Sequence, residues 1–140
     1  MSIVFPSSEF FRSLQESLER DPTCTEAVEP SEAYCGFAID DRLYVLEFDG
    51  RTCAGATSGG NELDLDFVLA GPSAVWRRVL EALASDEADV IAGATLPALV
   101  EEGALEIRSQ DEDGPSLARA ALPFLQVFLE RARGLEIAYA

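Results

Sequence analysis

Residues 64–83 read DLDFVLAGPSAVWRRVLEAL, and this stretch holds two different periodicities on either side of Gly71-Pro72. Before the Gly-Pro pair, apolar and other residues alternate as in a half-buried strand, with one face made of Leu65, Phe67 and Leu69. After it, the apolar residues recur at helical spacing, at Val75, Trp76, Val79, Leu80 and Leu83. The stretch therefore predicts a strand and a helix, about 73–84, that meet at a tight corner.

A helix and three further strands are predicted on the N-terminal side of this corner. Ser7 and Ser8 can cap a helix whose apolar residues follow at helical spacing over residues 8–20, and Asp21-Pro22 should end it. Residues 34–57, YCGFAIDDRLYVLEFDGRTCAGAT, contain three β-prone runs. The pairs Asp40-Asp41 and Asp49-Gly50 separate these runs, and Asp-Gly is typical of hairpins. We therefore predict a three-stranded meander.

On the C-terminal side, an acidic linker (residues 85–93) leads to a short helix, TLPALVEEG. Thr95 should cap this helix, Pro97 should lie in its first turn, and Gly103 should end it. A fifth strand is predicted over residues 104–109, and a last helix over about 116–133. The order of elements predicts a mixture of helices and strands in one chain.

The last helix is apolar over more of its circumference than one sheet face requires. Its polar side covers roughly a third of a helical wheel, whereas a helix on a single sheet face needs an apolar stripe of about 100°. That polar side is made of Arg119, Pro123, Gln126, Glu130 and Arg133. Neighbouring helices, a partner subunit or a bound apolar ligand would have to cover the remainder.

The C-terminal segment GLEIAYA is too apolar for a free tail. Gly134 should end the last helix in a left-handed conformation, after which Leu135, Ile137 and Tyr139 alternate with other residues. The segment should either fold back over its own chain or add an edge strand to a neighbouring subunit. The acidic surface opposes self-association, so we favour the fold-back.

The composition excludes several classes of function. The 140 residues are 48% apolar, which is enough for one domain with a buried core. The formal net charge of −16 repels phosphate backbones, so we expect no nucleic-acid partner. The sequence has no His and no Lys, which excludes catalytic Ser-His and Cys-His pairs, Schiff-base lysines and histidine metal sites.

No apolar run approaches the roughly 18 residues that a membrane span needs, and the N-terminus lacks the pattern of a signal peptide. We therefore expect a cytoplasmic protein with no integral membrane association.

Cys24, Cys35 and Cys53 fit no metal-binding spacing. In a meander, a third strand would keep the Cα atoms of Cys35 and Cys53 about 10 Å apart, so we expect reduced thiols.

Two groups of charged residues could form a site, but each has a simpler explanation. Glu62, Asp64 and Asp66 would share one face of the fourth strand, where we expect solvated carboxylates rather than a cation site or an acid-base pair. Arg77 and Arg78 could bind a ligand carboxylate or phosphate, but an exposed flank beside acidic neighbours explains them more simply. We predict no catalytic residue and no metal ligand.

Two stretches and the order of these elements carry a resemblance to a known family. The stretches are FAIDDRLYVLEFDGRTCAGATSGGNELDLDFVLAG (37–71) and LPALVEEGALEIRS (96–109). They resemble segments of the sterol carrier protein-2 (SCP2) family of small lipid-binding domains. The resemblance covers about residues 9–133. It implies an α+β fold with a five-stranded mixed sheet, covered on one face by helices, and an apolar tunnel between the layers. It also implies a single SCP2-like domain over residues 1–140, in which 134–140 form a C-terminal tail.

Members of that family bind sterols, fatty acids or fatty acyl-CoAs without a cofactor, so the resemblance implies an apolar or amphipathic small molecule as the partner. We expect the tunnel to be lined by Leu65, Phe67, Leu69, Trp76, Leu80, Leu99, Leu122, Leu125, Phe128 and Leu129. For any single one of these, core packing is the simpler explanation. The surplus apolar surface of the last helix favours a cavity.

Non-enzymatic binding or carriage of a hydrophobic ligand is therefore the function that we predict. The alternative is a protein-interaction or dimerisation module, in which the surplus apolar surface meets a second copy of the chain or another protein without a small ligand. A third class, a cofactor-free enzyme that uses Asp or Glu, is the least supported.

Overall fold

The corner at Gly71-Pro72 is present in the computed structural model, which describes residues 2–26, 28–85 and 87–139. A strand, Phe67–Gly71, ends at the corner, and a helix, Ser73–Leu83, begins directly after Pro72. Pro72 has φ −67° and ψ 155°, an extended conformation that suits the restricted φ of proline and turns the chain out of the sheet. The predicted helix is confirmed, and the predicted strand is present from Phe67 onwards.

Over the described residues, the strands and helices follow in the order β1 (Ile3–Phe5), α1 (Ser8–Arg20), β2 (Ser31–Ile39), β3 (Arg42–Gly50), β4 (Thr52–Ser58), β5 (Phe67–Gly71), α2 (Ser73–Leu83), α3 (Ala88–Ala92), α4 (Leu96–Glu102), β6 (Glu106–Arg108), α5 (Gly114–Glu130) and β7 (Ile137–Tyr139). Two short 3-10 helices, Pro22–Thr25 and Glu62–Asp64, precede β2 and β5. The linker predicted at 85–93 contains α3. The last helix begins and ends a few residues earlier than predicted.

Five of the strands form one mixed sheet in the order β4-β3-β2-β5-β6. The pairs β2–β3, β3–β4 and β5–β6 are antiparallel, whereas β2 and β5 are parallel. Helices cover one face of this sheet. The predicted α+β fold, a five-stranded mixed sheet covered on one face by helices in a single domain, is confirmed.

The covered face of the sheet holds the main hydrophobic core. Alternate residues of β2, β3 and β5 point into it, as period two requires. In β4 a register shift opposite Glu47 and Phe48 interrupts the alternation, so that Cys53 and Ala56 are the buried residues. These inward residues include Cys35, Phe37, Ile39, Leu46, Phe48, Cys53, Phe67 and Leu69. The opposite, outer face carries a second, smaller cluster made of Ala38, Val45, Leu65 and Val68.

The segment of residues 59–66 crosses the outer face from the edge strand β4 to β5. At its start, the amide of Gly59 donates a hydrogen bond to the carbonyl oxygen of Leu43 on β3 (2.8 Å). At its end, the amide of Asp66 donates to the carbonyl oxygen of Tyr34 on β2 (2.7 Å). Strand order requires this crossing, because β3 and β2 lie between β4 and β5.

The prediction that Leu65 shares a strand face with Phe67 and Leu69 is wrong. The strand begins only at Phe67, and Leu65 lies in the crossing segment, packed on the outer face. Its side chain packs over Gly36 beside that of Leu43, since a Cβ at Gly36 would lie 2.9 Å from Leu65 Cδ1 and 2.7 Å from Leu43 Cδ1. The side chain of Asn61 accepts a hydrogen bond from Leu63 N (3.0 Å), and this bond favours a 3-10 turn over an extended strand.

The caps predicted for the short helix α4 are confirmed. Thr95 Oγ1 accepts a hydrogen bond from Ala98 N (3.3 Å), and Gly103 has φ +88°. A left-handed φ of this kind costs glycine little and ends the helix. In addition, Gln126 Oε1 on α5 accepts a hydrogen bond from Leu96 N (2.8 Å), which joins the start of α4 to α5.

Neighbouring helices cover much of the surplus apolar surface of α5. The bond from Leu96 N to Gln126 holds α4 against one flank of α5. On α1, Ser17 Oγ accepts a hydrogen bond from Arg131 Nε (3.1 Å), just beyond the end of α5. Packing within the chain therefore accounts for part of this surface, and the other two explanations, a partner subunit or a bound apolar ligand, stay predictions.

The two ends of the described chain form a second, two-stranded sheet. Strand β7 pairs with β1 in parallel, with Ile3 opposite Ile137 and Phe5 opposite Tyr139. Gly134 has φ +89°, the left-handed conformation predicted for it. Residues 135–139 thus fold back onto their own chain, and Ile137–Tyr139 form the strand. Ala140 lies outside the described residues. Strand β1, only three residues long, was not predicted.

Candidate functional site

Nine of the ten residues predicted to line a tunnel lie in one apolar layer between the sheet and the helices. Each of the nine is at most 4% exposed. They belong to β5, α2, α4 and α5, and are Phe67, Leu69, Trp76, Leu80, Leu99, Leu122, Leu125, Phe128 and Leu129. The tenth, Leu65, lies on the outer face of the sheet. That the nine bind a ligand stays a prediction.

Aromatic rings fill this layer from both sides. The ring of Phe37 on β2 lies 4.9 Å from that of Trp76 on α2, measured between centroids. The ring of Phe48 on β3 lies 5.4 Å from that of Phe124 and 5.1 Å from that of Phe128, both on α5. These distances are those of rings in direct contact. A ligand in this layer would therefore have to separate the helices from the sheet.

Phe37 and Phe48 belong to the layer although they are not among the predicted lining residues. Both are buried, on the covered face of the meander. The alternation of apolar residues in β2 and β3 is the sequence pattern that could have identified them. We therefore treat the inner face of the meander as one wall of the candidate site.

One polar atom in the layer lacks a partner. The atom is Trp76 Nε1. Among the described residues, it is the buried side-chain polar atom that has no hydrogen-bond partner in the protein. Trp76 is 1% exposed. An unsatisfied buried donor costs on the order of 1–3 kcal/mol, so such atoms are uncommon in native proteins.

A groove reaches the layer at Leu80, beneath the C-terminal strand. It has a volume of about 260 Å³, and its apolar walls are made of Leu80, Ala84, Ala132, Leu135, Ile137 and Tyr139. Arg133 and Leu135 also line two larger, more polar grooves of about 590 and 670 Å³ on either side of the same segment. Leu80 lines the smallest of these three grooves, and none of the other eight residues of the layer lines any of the three.

Several contacts hold the C-terminal strand above this groove. The ring of Tyr139 lies 6.2 Å from that of Phe5, and the guanidinium carbon of Arg77 lies 4.3 Å from the centre of the Tyr139 ring. Partial burial, and then the nearby carboxylate of Glu81, raise the pKa of Tyr139, while Arg77 partly opposes this shift. Ile3 N donates a hydrogen bond to the carbonyl oxygen at position 136 (2.8 Å).

The acidic residues that precede β5 do not share a strand face, so that part of the prediction is wrong. Glu62 and Asp64 lie in a 3-10 helix, and Glu62 forms an ion pair with Arg108 (3.1 Å). The carboxylate of Asp66 accepts a hydrogen bond from Tyr34 N (2.9 Å). Asp66 therefore ties the crossing segment to β2. Within the part of the chain that the structure describes, no group of acidic or cysteine side chains could hold a metal ion.

The adjacent arginines on α2 contact side chains of the protein itself. Arg77 pairs with Glu81 one helical turn later (2.5 Å), and Arg78 pairs with Glu102 on α4 (3.5 Å). All four side chains are about half exposed. These contacts agree with the simpler explanation of the two arginines, an exposed flank beside acidic neighbours.

The cysteines of the sheet are free thiols, as predicted. Cys35 lies on β2 and Cys53 on β4, with β3 between them, and both are buried. Burial raises the pKa of Cys35, and it raises the pKa of Cys53 to about 11. Both are therefore neutral core residues at neutral pH. The side chain of Cys24 lies outside the described residues.

Several solved structures match this fold, and two of them are sterol carrier protein 2 and a possible sterol carrier protein. The crystal structure of sterol carrier protein 2 matches with a TM-score of 0.66 and 21% identity, over 92% of this chain and 97% of that chain. A conserved hypothetical protein of Thermus thermophilus, described as possibly a sterol carrier protein, matches with a TM-score of 0.53 and 24% identity, over 89% and 85% of the two chains. No protein-family model and no curated protein matches the sequence.

In the described residues, no helix is long and apolar enough to cross a membrane.

Proposed function

Because the chain has the fold of sterol carrier protein 2, we propose that it binds a hydrophobic ligand of the sterol, fatty acid or fatty acyl-CoA class. The ligand would lie in the apolar layer between the sheet and the helices, with no cofactor and no chemical step. The observation that carries this proposal is the continuous apolar layer, in which nine predicted lining residues lie together. We further propose that the protein acts in the cytoplasm.

The groove at Leu80 supports a route into the layer. Leu80 is 4% exposed and belongs both to the layer and to the groove beneath β7. A ligand that enters there would meet α2 on one side and the C-terminal strand on the other. Because aromatic rings fill the layer, entry requires that the helices move away from the sheet, and the apolar ligand would then replace contacts between side chains.

A non-enzymatic role is supported by the residues that are missing from the sequence. Without His and Lys, the common nucleophile-base pairs and Schiff-base chemistry are not available. The buried thiols of Cys35 and Cys53 have raised pKa values, which opposes nucleophilic reaction.

The alternative of a protein-interaction or dimerisation module is less well supported, because helices of the same chain cover much of the surplus apolar surface of α5.

Ligand binding can be measured through the single tryptophan of the chain, Trp76, which lies in the proposed site. A pyrene-labelled fatty acid should bind saturably at micromolar concentration and quench the Trp76 emission. Leu80→Phe should weaken this binding about tenfold, because the larger ring obstructs the groove. Val90→Phe is the matched control, since Val90 is 45% exposed on α3 and should leave the affinity unchanged.

Three ligand classes should be compared, namely a fatty acid, a fatty acyl-CoA and a fluorescent sterol. Saturable binding of at least one class, weakened by Leu80→Phe but not by Val90→Phe, is the expected result. If none of the three binds to the folded protein, the proposed function is wrong.

A further inference from the structure

The unpartnered indole nitrogen of Trp76 lies at a definite place in the fold, where the end of β5, the start of α2 and the turn before β6 meet. A Cβ placed on Gly71 would lie 3.7 Å from Trp76 Nε1, 3.3 Å from the carbonyl oxygen of Ala104 and 2.6 Å from Leu105 Cδ2. The indole nitrogen therefore lies close to the backbone at the end of β5. Gly71 and Ala104 are half-buried, so this corner lies just beneath the surface.

The surroundings of the indole offer apolar contacts and no side-chain acceptor. Phe37 contacts the ring of Trp76, with centroids 4.9 Å apart. An indole N–H can only donate a hydrogen bond. It is buried beside apolar side chains, where a hydrogen bond is stronger than in water and its loss is correspondingly costly. An acceptor oxygen of a bound molecule is one group that would satisfy this atom.

We propose that Trp76 Nε1 donates a hydrogen bond to an oxygen at the polar end of the bound ligand, so that the site selects amphipathic molecules over plain hydrocarbons. This inference rests on the proposed function and adds the protein atom that binds the polar end of the ligand and the orientation of the ligand in the layer. The polar end, a carboxyl, carbonyl or hydroxyl oxygen, lies at the corner of β5 and α2. The apolar chain extends from there through the layer towards α5.

The orientation follows from the position of Trp76 at one end of the layer. Trp76 belongs to the first turns of α2, beside the end of β5, whereas Phe124 and Phe128 contact Phe48 on β3, two strands away from β5. A ligand whose oxygen meets the indole can therefore place its chain across β2 towards β3. The main hydrophobic core lies in this direction.

The first test uses nuclear magnetic resonance of the intact protein, because a single tryptophan gives a single indole N–H resonance. Pyrenedodecanoic acid and dodecylpyrene are the two probes, which share the apolar part and differ in the acceptor oxygens. The acid should move the indole proton resonance downfield, as a new hydrogen bond requires, and dodecylpyrene should not. The same shift with both probes, or none with either bound probe, would overturn the inference.

The second test compares both probes in wild type and in Trp76→Phe, which keeps an aromatic ring and removes the donor. The affinity for the acid should fall about fivefold to tenfold relative to the affinity for dodecylpyrene. Phe124→Leu is the control, because it alters the same layer without a polar group and should change both affinities by the same factor.

The two tests separate the inference from the function on which it rests. If both probes bind and Trp76→Phe changes both affinities equally, the hydrogen bond is absent while ligand binding stands. If neither probe binds the wild type but a fatty acyl-CoA or a sterol does, this inference is wrong and the proposed function stands; if none of these molecules binds, both are wrong. If Trp76→Phe does not fold, the indole resonance of the wild type still decides the question.

Discussion

Leu65 and Phe67 are two residues apart, yet their side chains lie on opposite faces of the sheet. Leu65 packs with Val68 on the outer face, and Phe67 points into the main core. At Leu65 the chain still lies on the outer face of the sheet. It joins the sheet as strand β5 only at Phe67, so the alternation of side chains begins there. Leu65 packs closely over Gly36 together with Leu43, since a Cβ added at Gly36 would lie 2.9 Å and 2.7 Å from their Cδ1 atoms.

From this position we predict that Leu65→Ala lowers the free energy of unfolding without affecting ligand binding. Leu65 is 5% exposed, and a buried Leu→Ala change typically costs about 2–5 kcal/mol. Leu63→Ala is the control, because Leu63 is 62% exposed and should change stability by less than about 0.5 kcal/mol. Urea denaturation measures both.

Affinity for the pyrene-labelled fatty acid should be the same in Leu65→Ala as in the wild type, since the sheet separates Leu65 from the proposed site. A large loss of affinity in a variant that is still folded would show that the outer face takes part in binding.

At the scale of elements, β7 has two roles in the structure. It pairs with β1, which closes the two ends of the described chain onto each other. It also covers the groove at Leu80, where Ile137 and Tyr139 form part of the wall. Because β7 has only three residues and a single partner strand, its local opening should cost less than opening of the five-stranded sheet.

We predict that a chain truncated after Gly134 stays folded and monomeric but releases a bound ligand faster. Loss of the strand uncovers the groove, and the dissociation rate should rise about tenfold, which corresponds to about 1.4 kcal/mol. Tyr139→Ala should give a smaller increase, because it keeps the strand and removes only the ring that contacts Phe5 and Arg77.

Stopped-flow fluorescence measures the dissociation rates, and light scattering measures the oligomeric state. If the intact protein is a dimer that becomes a monomer on truncation, the segment is an interface between copies of the chain and not a cover of the groove.

For the whole molecule, the dominant property is the net charge of −16. Several of its arginines are engaged with carboxylates, as in the pairs Arg77–Glu81, Arg78–Glu102, Arg108–Glu62 and Arg131–Asp21. These pairs leave a large excess of acidic groups. A surface of this charge is repelled from anionic membranes over distances comparable to the Debye length.

We therefore predict that transfer of a bound pyrene-labelled fatty acid to anionic vesicles is slower than transfer to zwitterionic vesicles. At low ionic strength the difference should be about tenfold or more, and added salt should reduce it, because salt screens the repulsion. Fluorescence transfer assays at several salt concentrations measure it. Faster transfer to anionic vesicles would mean that a basic patch, and not the net charge, governs the encounter.

Local spacing along the chain determined most of the elements and their caps. The alternation in residues 67–69, the helical spacing from Val75 to Leu83, and the capping residues Thr95 and Gly103 all depend on neighbours within a few positions. Such patterns follow from the fixed periods of strand and helix, so they can be predicted from the sequence. The missing His and Lys likewise limit the chemistry whatever the fold.

Tertiary structure alone decided which surfaces meet. Leu65 lies on the outer face, packed over Gly36, which is far away in the chain, and β1 pairs with β7 from the other end of the described chain. The packing of the rings between sheet and helices and the unpartnered Trp76 Nε1 also depend on contacts between distant residues. Such contacts depend on the three-dimensional arrangement of whole elements, and local periodicity carries no information about them.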